Sequence, residues 1–431
     1  MGKILYLIYG SILVGIFAVI HLIFPPEWSL WIRKTNELFT NPPPVFTNGW
    51  YFLFGLGVFF FVAFILQYGI AFLASFGKIK YPEGSENFTP PISVIIPALN
   101  EEKVIGDTLE THLNSDYPKE NLEIVVVASG STDKTEEICK KYQDRLNIKI
   151  VTDPLPKKGK PAALNLGLKN ASHDLIGVYD ADTQVQEDTL RYLVRAFYDP
   201  KVDVTIGPVN VRNWNVNRLT KGVAMEYTYM VGSALYFEIR NRLGRQLWVF
   251  SRNVCYRKSV LEETGGWNED SLAEDMHISV QLAMLKKKIV HAPQAFSTEN
   301  TPTNWESYKR QRRRWVGGYK QSMDAVMELN IRAVMLRNFG MLHFGHINNF
   351  AVGALVAALI FGLVVKDFYV MLVCLVIFGF TFGMGLIGLR RYGHGRYSLL
   401  LHYLAFFVSN FYMFAVQFKN ISDQEWEKTE K

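Results

Sequence analysis

Cysteine is scarce in this chain: Cys139, Cys255 and Cys374 are scattered through 431 residues. Their spacing forms no metal-binding pattern and no disulfide framework. Such scarcity suits a reducing compartment for the globular part. Between Pro90 and about Pro302 no apolar run is long enough to cross a membrane. No small-residue cleavage site follows the first apolar stretch, only Pro25-Pro26-Glu27-Trp28, which argues against a signal peptide. A large excess of one charge is also missing. The net charge is +6, and the basic surplus lies beside apolar stretches. Lipid headgroups explain that placement better than nucleic acid, and nothing else points to nucleic acid.

What is present is hydrophobic. Apolar residues make up 49%, aromatics 14% and charged residues 20%. That is too apolar for an ordinary soluble enzyme and too charged for a pure membrane protein, so an anchor plus a globular domain is expected. Residues 4–24 and 50–76 are long enough to span a bilayer, the second opening with Trp50-Tyr51 and stopped by Gly77-Lys78-Ile79-Lys80. Three more spans are expected at about 340–365, 368–389 and 398–418. His346, Asn348 and Asn349 fit either a watery path through the third span or an interfacial position. Lys3, Lys78, Lys80, Arg390, Arg391 and Arg396 place the globular domain in the cytoplasm, the N-terminus inside and the C-terminus outside. The expected layout is 1–89 with two transmembrane helices and an extracytoplasmic loop, 90–300 globular, 301–335 an interface helix, and 336–431 three transmembrane helices and a tail.

The globular stretch alternates short β-branched runs with helical ones. Strands are expected at 92–97, 122–127, 148–151 and 175–179, and helices at 101–113, 132–144 and 161–170. That alternation predicts a parallel α/β sheet covered on both faces. Ligands of such sheets lie at the carboxyl ends of strands. Asp180-Ala181-Asp182 stands at such an end, where two carboxylates can hold a hard divalent cation. Pro97-Ala98-Leu99-Asn100-Glu101-Glu102 and Gly130-Ser131-Thr132-Asp133 occupy two more, as nucleotide loops or as plain turn and cap chemistry. Lys157-Lys158-Gly159-Lys160 suits an anion at a helix start or a solvated loop. Glu274-Asp275 reads as a general-base candidate or as ordinary helix-start carboxylates.

Residues 301–329 form the most unusual stretch. Between Pro302 and the pair Gly317-Gly318 a helix is expected, with Trp305, Tyr308, Trp315 and Tyr319 on one side. Lys309, Arg310, Arg312, Arg313 and Arg314 put five cations into six residues. This suits both a membrane surface and a pyrophosphate. Residues 223–239 read as a further amphipathic helix, in the core or at an interface.

In order along the chain stand Val94-Ile95-Ile96-Pro97-Ala98-Leu99-Asn100-Glu101-Glu102, Gly130-Ser131-Thr132-Asp133, Lys158-Gly159-Lys160, Asp180-Ala181-Asp182, Glu274-Asp275 and Gln311-Arg312-Arg313-Arg314-Trp315. With spans on both sides, the chain resembles the processive, membrane-embedded family 2 glycosyltransferases, which include cellulose, chitin, hyaluronan and poly-N-acetylglucosamine synthases. The resemblance covers nearly the whole chain. It implies a GT-A (Rossmann-like) α/β domain inserted between two transmembrane helices before and three after. It implies inverting transfer from a nucleotide-sugar, such as UDP-GlcNAc, into a β-linked polysaccharide exported at the cell membrane. By this resemblance Asp182 and Asp180 hold Mg²⁺ or Mn²⁺, and Asp275 is the base beside Glu274. Pro97, Ala98, Asn100, Glu101, Glu102, Ser129, Lys160, Asp180 and Arg314 meet the donor. Gln311, Trp315, Trp248 and Ser251 meet the acceptor, a growing polysaccharide or a glycolipid. A small accessory membrane subunit is a further implied partner. Two departures stand out. Ala128 and Ser129 replace an aspartate pair that relatives carry, which leaves the nucleotide open. Phe250-Ser251-Arg252-Asn253 lies where relatives have an acceptor-binding loop, and Arg252 is unexpected there. A single-sugar transferase and a catalytically dead scaffold are the competing readings.

Overall fold

The computed structural model describes residues 73–152, 159–242, 248–337 and 382–403, apart from 83, 86, 232 and 233, together with 379 and 412. The chain divides into two compact units, Met1–Val62 and Ala63–Lys431, and every described residue belongs to the second.

Ten strands are described: β1 Ile92–Pro97, β2 Leu122–Val127, β3 Asn147–Val151, β4 Leu175–Val178, β5 Gln184–Val185, β6 Val204–Ile206, β7 Val209–Val211, β8 Val254–Arg257, β9 Ile289–His291 and β10 Ser297–Glu299. Seven form one sheet in the order β3-β2-β1-β4-β8-β6-β9, and β5-β10-β7 form a second. The first four strands of the large sheet are parallel, as the alternation predicts. Beyond them the sheet is mixed, because β8 runs antiparallel to both β4 and β6. The expectation of an all-parallel sheet is corrected there. β8 is only four residues long, too short for its pattern to declare a direction.

Both faces are covered. Ile92, Val94 and Ile96 of β1 enter one apolar cluster with Ile124 and Val126 of β2, while Ile95, Val125 and Val127 enter the other. Side chains alternate across a strand, so a near-continuous apolar run means burial on both sides. At the amino edge, Glu123 accepts from Ser93 Oγ, from the Ser172 backbone N–H and from Lys149. Burial alone would raise its carboxyl, but the Lys149, Ser172 and Ser93 hydrogen bonds outweigh that and hold it down at about 2.

Helix positions follow the predicted order: Ile105–Leu113 and Thr135–Lys140 are shorter than expected, and Lys160–Asn170 begins one residue earlier. Residues 223–239 are not one helix. Arg218–Glu226 is α-helical, Tyr227–Val231 is a π turn, and Leu235–Arg242 is α-helical again. Val223, Met225, Tyr227, Leu235 and Phe237 lie in the main core.

The basic helix runs Trp305–Arg337, straight through the glycine pair expected to end it. Gly318 is there for packing. A Cβ at this position would stand 2.3 Å from Ala273 Cβ and 2.8 Å from Ala273 N. The helix thus lies against the residue just before Glu274-Asp275. Alanine normally favours a helix over glycine by ~1 kcal/mol. Here Gly318→Ala is expected instead to destabilise by about 1–3 kcal/mol through overpacking. A thermal unfolding midpoint at or above the parent's would refute the contact.

Among the described residues no helix is long and apolar enough to cross a membrane. The expected spans 4–24 and 340–365 lie outside those residues, as do His346, Asn348 and Asn349, and the other three lie mostly outside. Residues 382–403 are described, and Met384, Leu389, Tyr392, Leu399 and Tyr403 are buried in the main core. Arg391 bonds Glu238 and the Gly77 carbonyl, and Arg396 bonds the Val211 carbonyl. These arginines therefore fasten segments to the domain as well as carrying charge.

Candidate active site

β1 has β2 on one side and β4 on the other, so the connection from β3 to β4 reverses the winding. A crevice opens at the carboxyl ends of strands at such a reversal. The loops after β1 and β2 meet there and knit together. Asn100, at φ +55°, accepts the Thr132 N–H on its side chain at 2.8 Å and donates its own N–H to Ser131 Oγ at 3.1 Å. Left-handed backbone is one that asparagine tolerates. The Glu101 N–H donates to Thr135 Oγ1 at 2.8 Å. Glu102 exchanges bonds with Asp133 and the Lys134 N–H, each at 3.1 Å. Asn100, Glu101 and Glu102 thus shape the loop whatever else they meet. Ala98, Ala128 and Ser129 are buried, and Pro97 is half-buried.

Lys160 opens its helix after Gly159, whose φ is +124°. Its Nζ lies 2.6 Å from Asp180 Oδ1, 3.0 Å from Glu274 Oε1 and 2.9 Å from the Ser251 carbonyl. Burial by itself would lower its pKa, but the Asp180 and Glu274 carboxylates raise it well above the usual lysine value. The anion it meets here belongs to the protein. Lys157 and Lys158 lie outside the described residues.

Asp275 sits in the first turn of the helix Glu274–Met284 and accepts the Met276 N–H at 2.8 Å. Burial and the adjacent Glu274 charge push its carboxyl up to about 6, against the pull of Lys160 and Arg252. A carboxylate poised near neutrality is what a general base requires.

Asp182 is buried and accepts the Asn300 N–H at 3.2 Å, while its carbonyl accepts from Arg212 at 3.1 Å. Among the described residues no group of three His, Cys, Asp or Glu side chains could hold a metal ion. Two carboxylates on one turn still fit Mg²⁺ or Mn²⁺, whose remaining positions water and substrate phosphates commonly fill. Cys139 and Cys255 are buried and free.

The basic helix lies beside these site residues, with Gly318 against Ala273 and Trp315 near Arg252. Gln311 is buried, while Arg314 and Trp315 are half-buried. Arg312 is wholly buried and paired with Glu226 at 2.6 Å. Its Cζ stands 4.1 Å from the Trp315 ring centre. Of the cations in the motif, Arg312 is therefore structural, whereas Arg314 is only half-buried. Trp248 is buried against Tyr319, with ring centres 6.2 Å apart, and the Ser251 side chain is also buried. Lys160, Asp180, Glu274, Asp275 and Ser251 are thus brought together, whereas Trp248 lies in the core. Arg252 was noted in the sequence without a role. It pairs with Glu299 at 2.9 Å, beside Tyr227 and toward Trp315. Glu226 and Glu299 carry no sequence signal, since each lies in an ordinary apolar or polar run.

Residues 90–318 match the family described as "Glycosyltransferase like family 2". A probable glycosyltransferase, YdaM, of Bacillus subtilis is 34% identical over 59% of this chain and 61% of its own. A poly-beta-1,6-N-acetyl-D-glucosamine synthase of Staphylococcus epidermidis is 28% identical over 56% of this chain and 58% of its own. The same-named enzyme of Staphylococcus aureus (strain COL) is 30% identical over 56% and 57%. The chain thus spans somewhat over half the length of these curated relatives. The solved mannosyltransferase PcManGT of Pyrobaculum calidifontis, in complex with GDP-Man and Mn²⁺, superposes with a TM-score of 0.55 over 83% of this chain and 97% of its own. At 22% identity that likeness speaks for the fold. A mixed GT-A-like α/β sheet, paired carboxylates at its carboxyl edge and a match through the end of the basic motif agree: the chain belongs to glycosyltransferase-like family 2.

Proposed function

We propose that this chain is an inverting membrane glycosyltransferase that polymerises sugar from a nucleotide-sugar into a β-linked polysaccharide and exports it. The observation that carries this is the cluster around Lys160, which joins Asp180 of the donor side to Glu274, the neighbour of Asp275 on the acceptor side. The acceptor hydroxyl oxygen attacks the anomeric carbon, and its proton passes to the Asp275 carboxylate. The bond from that carbon to the phosphate oxygen breaks, and nucleoside diphosphate leaves. Mg²⁺ or Mn²⁺ held by Asp182 and Asp180 would neutralise charge on the leaving diphosphate. Arg314 adds a guanidinium on the same side, and Trp315 offers an indole face to the acceptor ring. Burial of the carboxylates keeps water from competing with the acceptor. The synthases among the relatives support a polymer of N-acetylglucosamine, while Ala128 and Ser129 leave the nucleotide of the donor open. The apolar stretches flanking the domain support a multi-pass location with the catalytic domain cytoplasmic.

The test uses the detergent-solubilised full chain. UDP-GlcNAc, UDP-Glc, UDP-GlcA and GDP-Man are offered separately with Mn²⁺ or Mg²⁺, and diphosphate release and product size are followed. Release with a long polymer is expected from one donor. Release with a single-sugar or lipid-linked product would replace polymerisation by single transfer. No release from any donor would overturn the reading.

A further inference from the structure

Arg252 follows Ser251, whose carbonyl binds Lys160, and its side chain enters a cage. The residue is 8% exposed. Nη1 donates to Glu299 Oε1 at 2.9 Å and to Tyr227 Oη at 3.0 Å. Tyr227 Oη donates to the same Glu299 oxygen. The Arg252 Cζ stands 5.1 Å from the ring centres of Tyr227 and Phe250 and 5.9 Å from that of Trp315. Glu299 is 1% exposed and ends β10. A guanidinium gripped by a buried carboxylate has one position, unlike a solvated side chain. It lies near the indole on which the acceptor is expected to stack, where a cation over a ring contributes attraction and fixes its orientation.

The next residue separates the two sides of the site. Asn300 holds the Asp182 carboxylate through its backbone N–H at 3.2 Å. That bond survives any side-chain replacement at Glu299, so donor handling and acceptor handling part at this peptide.

We propose that Glu299 and Arg252 are a positioning pair that orients Trp315 and thereby sets acceptor affinity, without entering the chemistry. This rests on the reading of Trp315 as the acceptor platform. A sugar face gains contact only from an indole already aligned with it, so a freed ring loses affinity before it loses turnover.

The experiment uses the full chain at pH 8, above the titration of Asp275. Arg252→Lys and Glu299→Gln are compared with the double variant Arg252→Met/Glu299→Gln, which leaves no buried charge uncompensated. A β-linked N-acetylglucosamine oligosaccharide is the acceptor probe. Acceptor KM is expected to rise about tenfold in all three, with donor KM and kcat within about twofold of the parent in Arg252→Lys and Glu299→Gln, which keep the cation that acts on Asp275. The emission of Trp315, taken as the difference from Trp315→Phe, is expected to shift in the same variants. An unchanged acceptor KM, or a donor KM rising in step, overturns the proposal. If the parent transfers nothing to the probe, the acceptor reading itself fails. The emission difference then decides: a shift sustains the positioning pair, and identity with the parent overturns it.

Discussion

Asp275→Asn is expected to lower kcat/KM by on the order of 10²–10⁴-fold, the range for loss of a general base. The unfolding transition should stay near the parent's, because asparagine keeps the shape and can still accept the Met276 N–H. The parent's pH profile carries the same assignment. Burial and Glu274 hold the Asp275 carboxyl at about 6, above the ordinary aspartate value. Only the deprotonated form accepts the acceptor's proton. The kcat/KM of the free enzyme should therefore be low in acid and rise as pH passes through about 6. Diphosphate release across pH 4.5–8.5 reads this directly. An asparagine variant with parental turnover would move the base elsewhere.

Glu226→Ala is expected to produce a large loss of stability, about 3–5 kcal/mol, the cost of leaving a buried charge without its partner. Arg312 is wholly buried and Glu226 is 1% exposed, at 2.6 Å. Removing the carboxylate strands the guanidinium in the core. The double variant Glu226→Leu/Arg312→Leu should recover much of the loss, because no charge then remains. Unfolding midpoints of the two variants beside the parent are the measurement. A single variant as stable as the parent would mean that water reaches Arg312. Transfer should fall with the single variant too, since the Arg312 guanidinium stacks on Trp315.

Part of this site was legible in the chain. The apolar run 175–179 ends in Asp180-Ala181-Asp182, and a strand that ends in two carboxylates places them at a sheet edge whatever the neighbouring strands do. Glu274 and Asp275 were legible as a helix start. Arg252 was visible only as an oddity, because its partner Glu299 is 47 residues further on. Arg312 belonged to a run of cations that local charge counting treated alike. Only Glu226, 86 residues earlier, separates it from Arg314 by burying it. Gly317-Gly318 read as a stop because glycine weakens helices; Ala273 supplies a reason for Gly318 that no local rule contains.

By itself the sequence determined the alternation of strand and helix from β1 to β4, the carboxylates at the strand ends and the apolar stretches on either side. These depend on local pattern, on which each residue type acts within a few neighbours. The tertiary structure alone decided the antiparallel insertion of β8, the bridge that Lys160 makes between Asp180 and Glu274, and the split between a buried Arg312 and a half-buried Arg314. Those are set by which distant groups share a low-dielectric space, where an ion pair or a single methyl group changes the outcome by several kcal/mol, about as much as a whole helix gains from its local preferences.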